Sequence, residues 1–156
     1  FYRYNNVITL RTFSKVYGLA GFSVGYGFAH QDLIDNLMKV KLPFEPSSSS
    51  QVAAIAALDD LEHLGETISL NRNEMSKVCN NLKKNKLKFI PSIANFVTIV
   101  FNSRNDTINS SKFLLQNGVI VRDLIGFGLP NCIRVTIGTK YENKIFIKKI
   151  EEYINK

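Results

Sequence analysis

Apolar residues along this chain recur at two different spacings, and the switches between them mark out its elements. Val7 to Leu10 is a short continuous apolar run, which predicts a buried strand of a mostly parallel sheet, with Lys15 in the loop that leaves its end. Ser23 to Ala29 predicts a second strand, in which Gly25 and Gly27 permit close approach of backbone or ligand. Leu33, Ile34, Leu37, Met38 and Val40 then fall at helical spacing, so a helix is expected over Gln31 to Lys41, ended by Pro43.

A change of composition follows. Leu42-Pro43-Phe44-Glu45-Pro46 leads into four serines, Ser47 to Ser50, and a serine ahead of the alanine-rich run Gln51 to Leu58 is a good helix start. A domain transition is placed here, giving segments 1–45 and 46–156. Leu61, Leu64, Ile68, Met75, Val78 and Leu82 predict one long helix from about Asp60 to Asn85, weakened early by Gly65. Leu87 to Ile90 and Asn95 to Phe101 read as strands, and the β-branched Val97-Thr98-Ile99-Val100 marks the second as central. A helix over Asp106 to Gln116, closed by Asn117-Gly118, precedes strands at Val119 to Val121 and Cys132 to Ile137 and a last amphipathic helix over Tyr141 to Ile154. The expected class is therefore α/β: the end of a sheet-based domain, then a small α+β domain on one sheet, ordered helix, strand, strand, helix, strand, strand, helix.

Composition narrows the function. With 45% hydrophobic and 21% charged residues, the chain reads as an ordinary globular domain able to bury a core. The net charge of +7 comes from lysines scattered through segments such as Asn81 to Lys88. No arginine-rich run or aromatic platform accompanies them, so no nucleic-acid partner is expected. No apolar run approaches the roughly 18 residues of a membrane helix, and no membrane partner is expected. Cys79 lies in a helical pattern and Cys132 in a strand, which suits buried thiols and a reducing cytoplasm better than a bridge or a metal pair. His30 and His63 lack ligand-spaced partners, so no metal is expected. The chain opens at Phe1 without a methionine, and Tyr4 to Ile8 reads as the entry to a strand; it is taken as the C-terminal part of a longer protein.

The chemistry gathers at Thr9 to Gly27. Hydroxyls at Thr12 and Ser14 precede Lys15, and a glycine-punctuated turn, Gly18 to Gly21, follows it. A lysine with an ordinary pKa near 10.4 needs desolvation or a nearby cation to act as a nucleophile. Val7, Ile8, Leu10, Leu19, Ala20 and Phe22 supply an apolar shell, and the small hydroxylated neighbours leave room for an anion. That is what an aldehyde cofactor carrying a phosphate requires; the plainer alternative is a solvated surface lysine. Gly21-Phe22-Ser23-Val24-Gly25 also fits the G-x-S-x-G pattern of a hydrolase, but the residues after Ser23 read as a strand where that elbow needs a helix.

Arg-Thr-Phe-Ser-Lys-Val-Tyr-Gly-Leu-Ala-Gly, Arg11 to Gly21, resembles the cofactor-lysine segment of the pyridoxal-phosphate-dependent aminotransferases of fold type I, closest to the histidinol-phosphate aminotransferase branch. The resemblance implies a PLP-transferase large domain ending near residue 45, an interdomain helix and a small C-terminal domain. It implies that Lys15 binds pyridoxal 5'-phosphate covalently and shuttles a proton, and that Thr12 and Ser14 offer hydroxyls to its phosphate. Ser23 stands where the family carries an arginine; a charge-assisted contact is lost, though a hydroxyl remains. The resemblance also implies a homodimer, with further active-site residues upstream and on the partner subunit, so the isolated chain is expected to be inactive.

A second feature lies late in the chain. Arg122 ends the apolar run Val119 to Val121, and Arg134 sits inside Cys132 to Ile137, on either side of the loop Gly126 to Pro130. An arginine in an apolar strand is costly unless it meets an anion, either a substrate or an internal partner such as Asp123. By the same resemblance, Arg134 holds the carboxylate of a small anionic amino-acid-like substrate or its equivalent, and Arg122 the phosphate of histidinol phosphate. Pro91 to Phe96 also matches the family; Asn95 is read as structural. Threonine-phosphate decarboxylases and aromatic aminotransferases share the lysine segment and stay open as alternatives, as does a non-catalytic remnant.

Overall fold

The link from Phe13 to Val24 carries a single 3-10 turn (Ala20–Phe22) and no crossover helix of the kind a parallel pair of strands needs, and the chain turns back on itself. In the computed structural model, which describes residues 3–155, β1 (Ile8–Thr12) pairs antiparallel with β2 (Gly25–Ala29), with Ile8 opposite Ala29 and Thr12 opposite Gly25. This corrects the expectation of a buried strand in a mostly parallel sheet: the two strands form a sheet of their own, and nearly every β1 residue is exposed. Gly25 is demanded by the pairing, because a Cβ there would lie 2.6 Å from the Arg11 carbonyl oxygen.

Two compact units divide the described chain, Phe1–Ile68 and Ser69–Lys156. The division falls inside the long helix, and the alanine-rich helix packs with the first unit. In that unit, α1 (Gln31–Val40) follows β2, and α2 (Ser48–Asp59) begins at Ser47, whose hydroxyl accepts the Ser50 N–H at 3.2 Å. Ala54 of α2 is buried with Phe13 and Val24, and the Ser50 hydroxyl donates to the Phe22 carbonyl at 2.7 Å.

The second unit has the expected element order. The long helix α3 (Leu61–Lys84) enters it and is followed by β3 (Lys88–Ile90), β4 (Phe96–Val100), α4 (Arg104–Gln116), β5 (Arg122–Asp123), β6 (Cys132–Thr136) and α5 (Lys140–Ile154). The four strands form one antiparallel sheet in the order β3-β4-β6-β5. Val119 to Val121 do not form the expected strand; pairing starts only at Arg122, after the left-handed Gly118 (φ +78°) has closed α4. Val97, Ile99, Ile133 and Val135 point to one face and are buried with Val78, Leu82, Leu114, Phe146 and Ile150 from the three helices.

Polar groups tie the helices of this unit together. Glu74, buried on α3, takes a 2.6 Å contact from Lys77 and accepts from Asn143 of α5 at 3.1 Å; Asn143 in turn donates to the Gly138 carbonyl and accepts the Gly138 N–H. Glu142 closes the start of α5 in a capping box with Thr139, and Glu151 accepts from Asn81 and Asn85. Each carboxyl is thereby held below its ordinary value near 4.5: Glu74 chiefly by Lys77, Glu142 by the Thr139 N–H, Glu151 by Asn81. A depressed carboxyl contributes stability that is fully present above its unfolded pKa and is lost as pH falls through the folded value. Thermal unfolding is therefore expected to move to lower temperature as pH drops below about 4.5. Glu74→Ala leaves one N–H of the buried Asn143 amide without its acceptor and is expected to cost about 1–3 kcal/mol in a urea titration, and to flatten that acid dependence. An unchanged midpoint would remove the network from the account of stability.

Candidate functional site

Lys15 sits in the turn that leaves β1, held by local bonds. The Gly18 N–H donates to the Lys15 carbonyl at 2.9 Å, and the Leu19 N–H to the Phe13 carbonyl at 3.0 Å. Phe13 is the anchor: it is 3% exposed and packs against the ring of Tyr17 at 5.0 Å between centroids. The neighbouring side chains face outward as a consequence. The Thr12 hydroxyl accepts the Ser14 N–H at 3.0 Å, which shapes the turn and leaves the hydroxyl proton available.

The Lys15 side chain is exposed. The expected apolar shell does not enclose it: Val7, Ile8, Leu10 and Phe22 are themselves 37–69% exposed. Within this chain the sheet has two strands, without layers on both faces of the kind that bury a parallel strand.

Ser23 is not the first residue of a strand. It ends a 3-10 turn (Ala20–Phe22) in the left-handed region, at φ 48° and ψ 45°. The Phe13 N–H donates to the Val24 carbonyl at 3.2 Å, extending the β1–β2 pairing by one step, so Ser14 and Ser23 flank the same paired position. Thr12, Ser14, Lys15 and Ser23 thus occupy one end of the hairpin. β2 follows Ser23, so the helix that a hydrolase elbow requires is not there.

In the second unit, Arg122 of β5 lies directly opposite Arg134 of β6, which lies directly opposite Thr98 of β4. Residues opposite one another in an antiparallel pair share a face, so the two arginines and Thr98 form a row across three strands, on the face turned away from the helix-packed core. Like charges placed opposite are unfavourable. Among the described residues, neither arginine makes a salt bridge, and Asp123 does not serve as the internal partner considered from the sequence. Arg134 is half-buried with its guanidinium 5.3 Å from the centroid of the Phe96 ring, while Arg122 is exposed. Asn95 acts through its backbone, its carbonyl accepting the Ile137 N–H at 2.8 Å. Sequence reasoning did not find the Phe96 contact, although the alternation of Phe96 and Thr98 against Val97 and Ile99 places both on the arginine face.

Residues 2–150 match the sequence profile of the family described as aminotransferase class I and II. The chain is 43% identical over 149 residues to histidinol-phosphate aminotransferase 1 of Nitrosococcus oceani, covering 96% of this chain and 40% of that protein. It is 41% identical over 151 residues to histidinol-phosphate aminotransferase of Campylobacter lari, covering 97% and 41%. Among solved structures it is similar to histidinol-phosphate aminotransferase from Sinorhizobium meliloti in complex with pyridoxal-5'-phosphate, with a TM-score of 0.88 and 28% identity over 97% of this chain and 42% of that one. The chain spans about two fifths of the length of the curated relatives it matches.

Proposed function

The chain belongs to the aminotransferase class I and II family, and we propose that the whole protein is a pyridoxal 5'-phosphate-dependent transaminase that passes the amino group of histidinol phosphate to 2-oxoglutarate in histidine biosynthesis. The observation that carries this reading is the 41–43% identity to histidinol-phosphate aminotransferases along nearly the whole chain. The row of arginines without carboxylate partners supports an anionic, amino-acid-like substrate.

The lysine hairpin suits a phosphorylated aldehyde in its donor set: one primary amine at Lys15, and hydroxyls at Thr12, Ser14 and Ser23 at the same end of the hairpin. Pyridoxal phosphate, when bound, supplies the electron sink that lets a proton leave the substrate α-carbon. In this reading Lys15 Nζ anchors the cofactor and carries that proton. Thr12, Ser14 and Ser23 donate to the phosphate, while Arg134 binds the substrate carboxylate or its equivalent and Arg122 its phosphate. Residues 1–45 are the end of the large cofactor domain, and 46–156 the interdomain helix and small domain.

A homodimer fits the exposed stripe Val52, Ile55 and Leu58 on α2, 47–67% exposed, which a partner subunit would cover. Cytoplasmic localisation fits the two free thiols, Cys79 and Cys132. Among the described residues, no helix is long and apolar enough to cross a membrane.

Spectral titration of the whole protein with pyridoxal phosphate tests the reading, and the absence of a saturable change would end it. The same titration measures what the missing arginine does. Ser23 is exposed, so a longer side chain has room there. Ser23→Arg is expected to tighten cofactor binding roughly tenfold through a charge-assisted contact to phosphate. Equal affinity in the two forms would make the lost arginine immaterial.

A further inference from the structure

We propose that Phe96 is a positioning residue for Arg134, its ring serving as a platform that orients the guanidinium for a bound anion; this rests on the reading of Arg134 as the substrate-anion residue. The guanidinium carbon lies 5.3 Å from the centroid of the Phe96 ring, within cation–π range. Contact through the ring face leaves the in-plane N–H donors of the guanidinium unused, and those are the groups that grip a carboxylate or phosphate. No salt bridge among the described residues competes for them.

The placement follows from the strand register. Phe96 is opposite Thr136, two residues from Arg134 on the same face of the sheet, so the two side chains meet on the diagonal across neighbouring strands. Phe96 is only half-buried, and it is not a member of the core cluster formed by its neighbours Val97 and Ile99. A ring that fills no core but lies under an arginine without an acidic partner costs little to lose in folding and much to lose in orientation. A flexible arginine must give up rotamer freedom when it grips an anion, and the platform removes part of that loss beforehand.

The test follows the Arg134 Nε–H resonance of the whole protein while inorganic phosphate is titrated in at low salt. Phe96→Leu is expected to weaken phosphate binding at Arg134 roughly three- to tenfold, the range of cation–π energies, and to remove the ring-current shift of that resonance. Phe96→Tyr, which keeps the aromatic face, is expected to stay within twofold of the original protein. Phosphate binding in Phe96→Leu equal to that of the original protein overturns the proposal, as does a loss in Phe96→Tyr equal to that in Phe96→Leu. Should Phe96→Leu fail to fold, Phe96→Met replaces it under the same criteria. Arg134→Gln, followed through the backbone amides of β6, separates the two readings: if it leaves phosphate binding unchanged, or if the original protein shows no saturable response at Arg134, the anion-site reading falls and takes this proposal with it.

Discussion

Lys15→Ala is expected to lower transaminase turnover of the whole protein by at least about 10³-fold and to abolish the label left on it by borohydride after incubation with pyridoxal phosphate. Lys15 supplies chemistry that the surrounding residues lack. Thr12, Ser14 and Ser23 offer hydroxyls at the same end of the hairpin, yet none of them can form a reducible C=N bond with an aldehyde, and none is a base for an α-carbon proton. Peptide mapping locates the label. A label on another lysine, or activity retained in Lys15→Ala, would overturn the proposed role. Because the Lys15 side chain is exposed and the turn is held by backbone bonds and by buried Phe13, the substitution is expected to leave the fold intact. An unchanged unfolding temperature would assign the lost turnover to chemistry.

Arg134→Gln is expected to reduce kcat/KM for histidinol phosphate about 100-fold, the cost of a charge-assisted contact made to the substrate. Arg122→Ala is expected to impair histidinol phosphate more than phenylalanine, since only the former carries a phosphate; equal losses would count against a phosphate role for Arg122. Stability moves the other way. Arg122 and Arg134 stand opposite each other on paired strands, so removing either relieves repulsion, and unfolding temperature is expected to hold or to rise slightly as binding falls. Gain in stability with loss of function is the signature of residues placed for a ligand. A fall in both would make the pair structural.

Much of this was legible along the chain because it depends on neighbours in sequence. The serines ahead of the alanine-rich run announced a cap, and Ser47 caps α2 through a hydroxyl that accepts the N–H three residues on. The period of Met75, Val78 and Leu82 placed the core-facing side of α3, and the β-branched run of β4 announced a central strand, found between β3 and β6. The errors arose where distant segments decide. Val7 to Leu10 has the composition of a buried parallel strand, but its partner is the next strand along the chain, reached without a crossover helix, and that pairing is antiparallel and exposed.

The order of helices and strands, their caps, and a lysine segment bearing hydroxyls and glycines were written in local spacing, since backbone geometry and short-range hydrogen bonds reach only a few residues. Register was not. It brought Arg122 opposite Arg134, and Phe96 beneath the latter, because pairing between strands joins residues that no periodicity links. The environment of Lys15 was decided in the same way, since burial depends on the layers packed against a strand and not on the apolar residues within it.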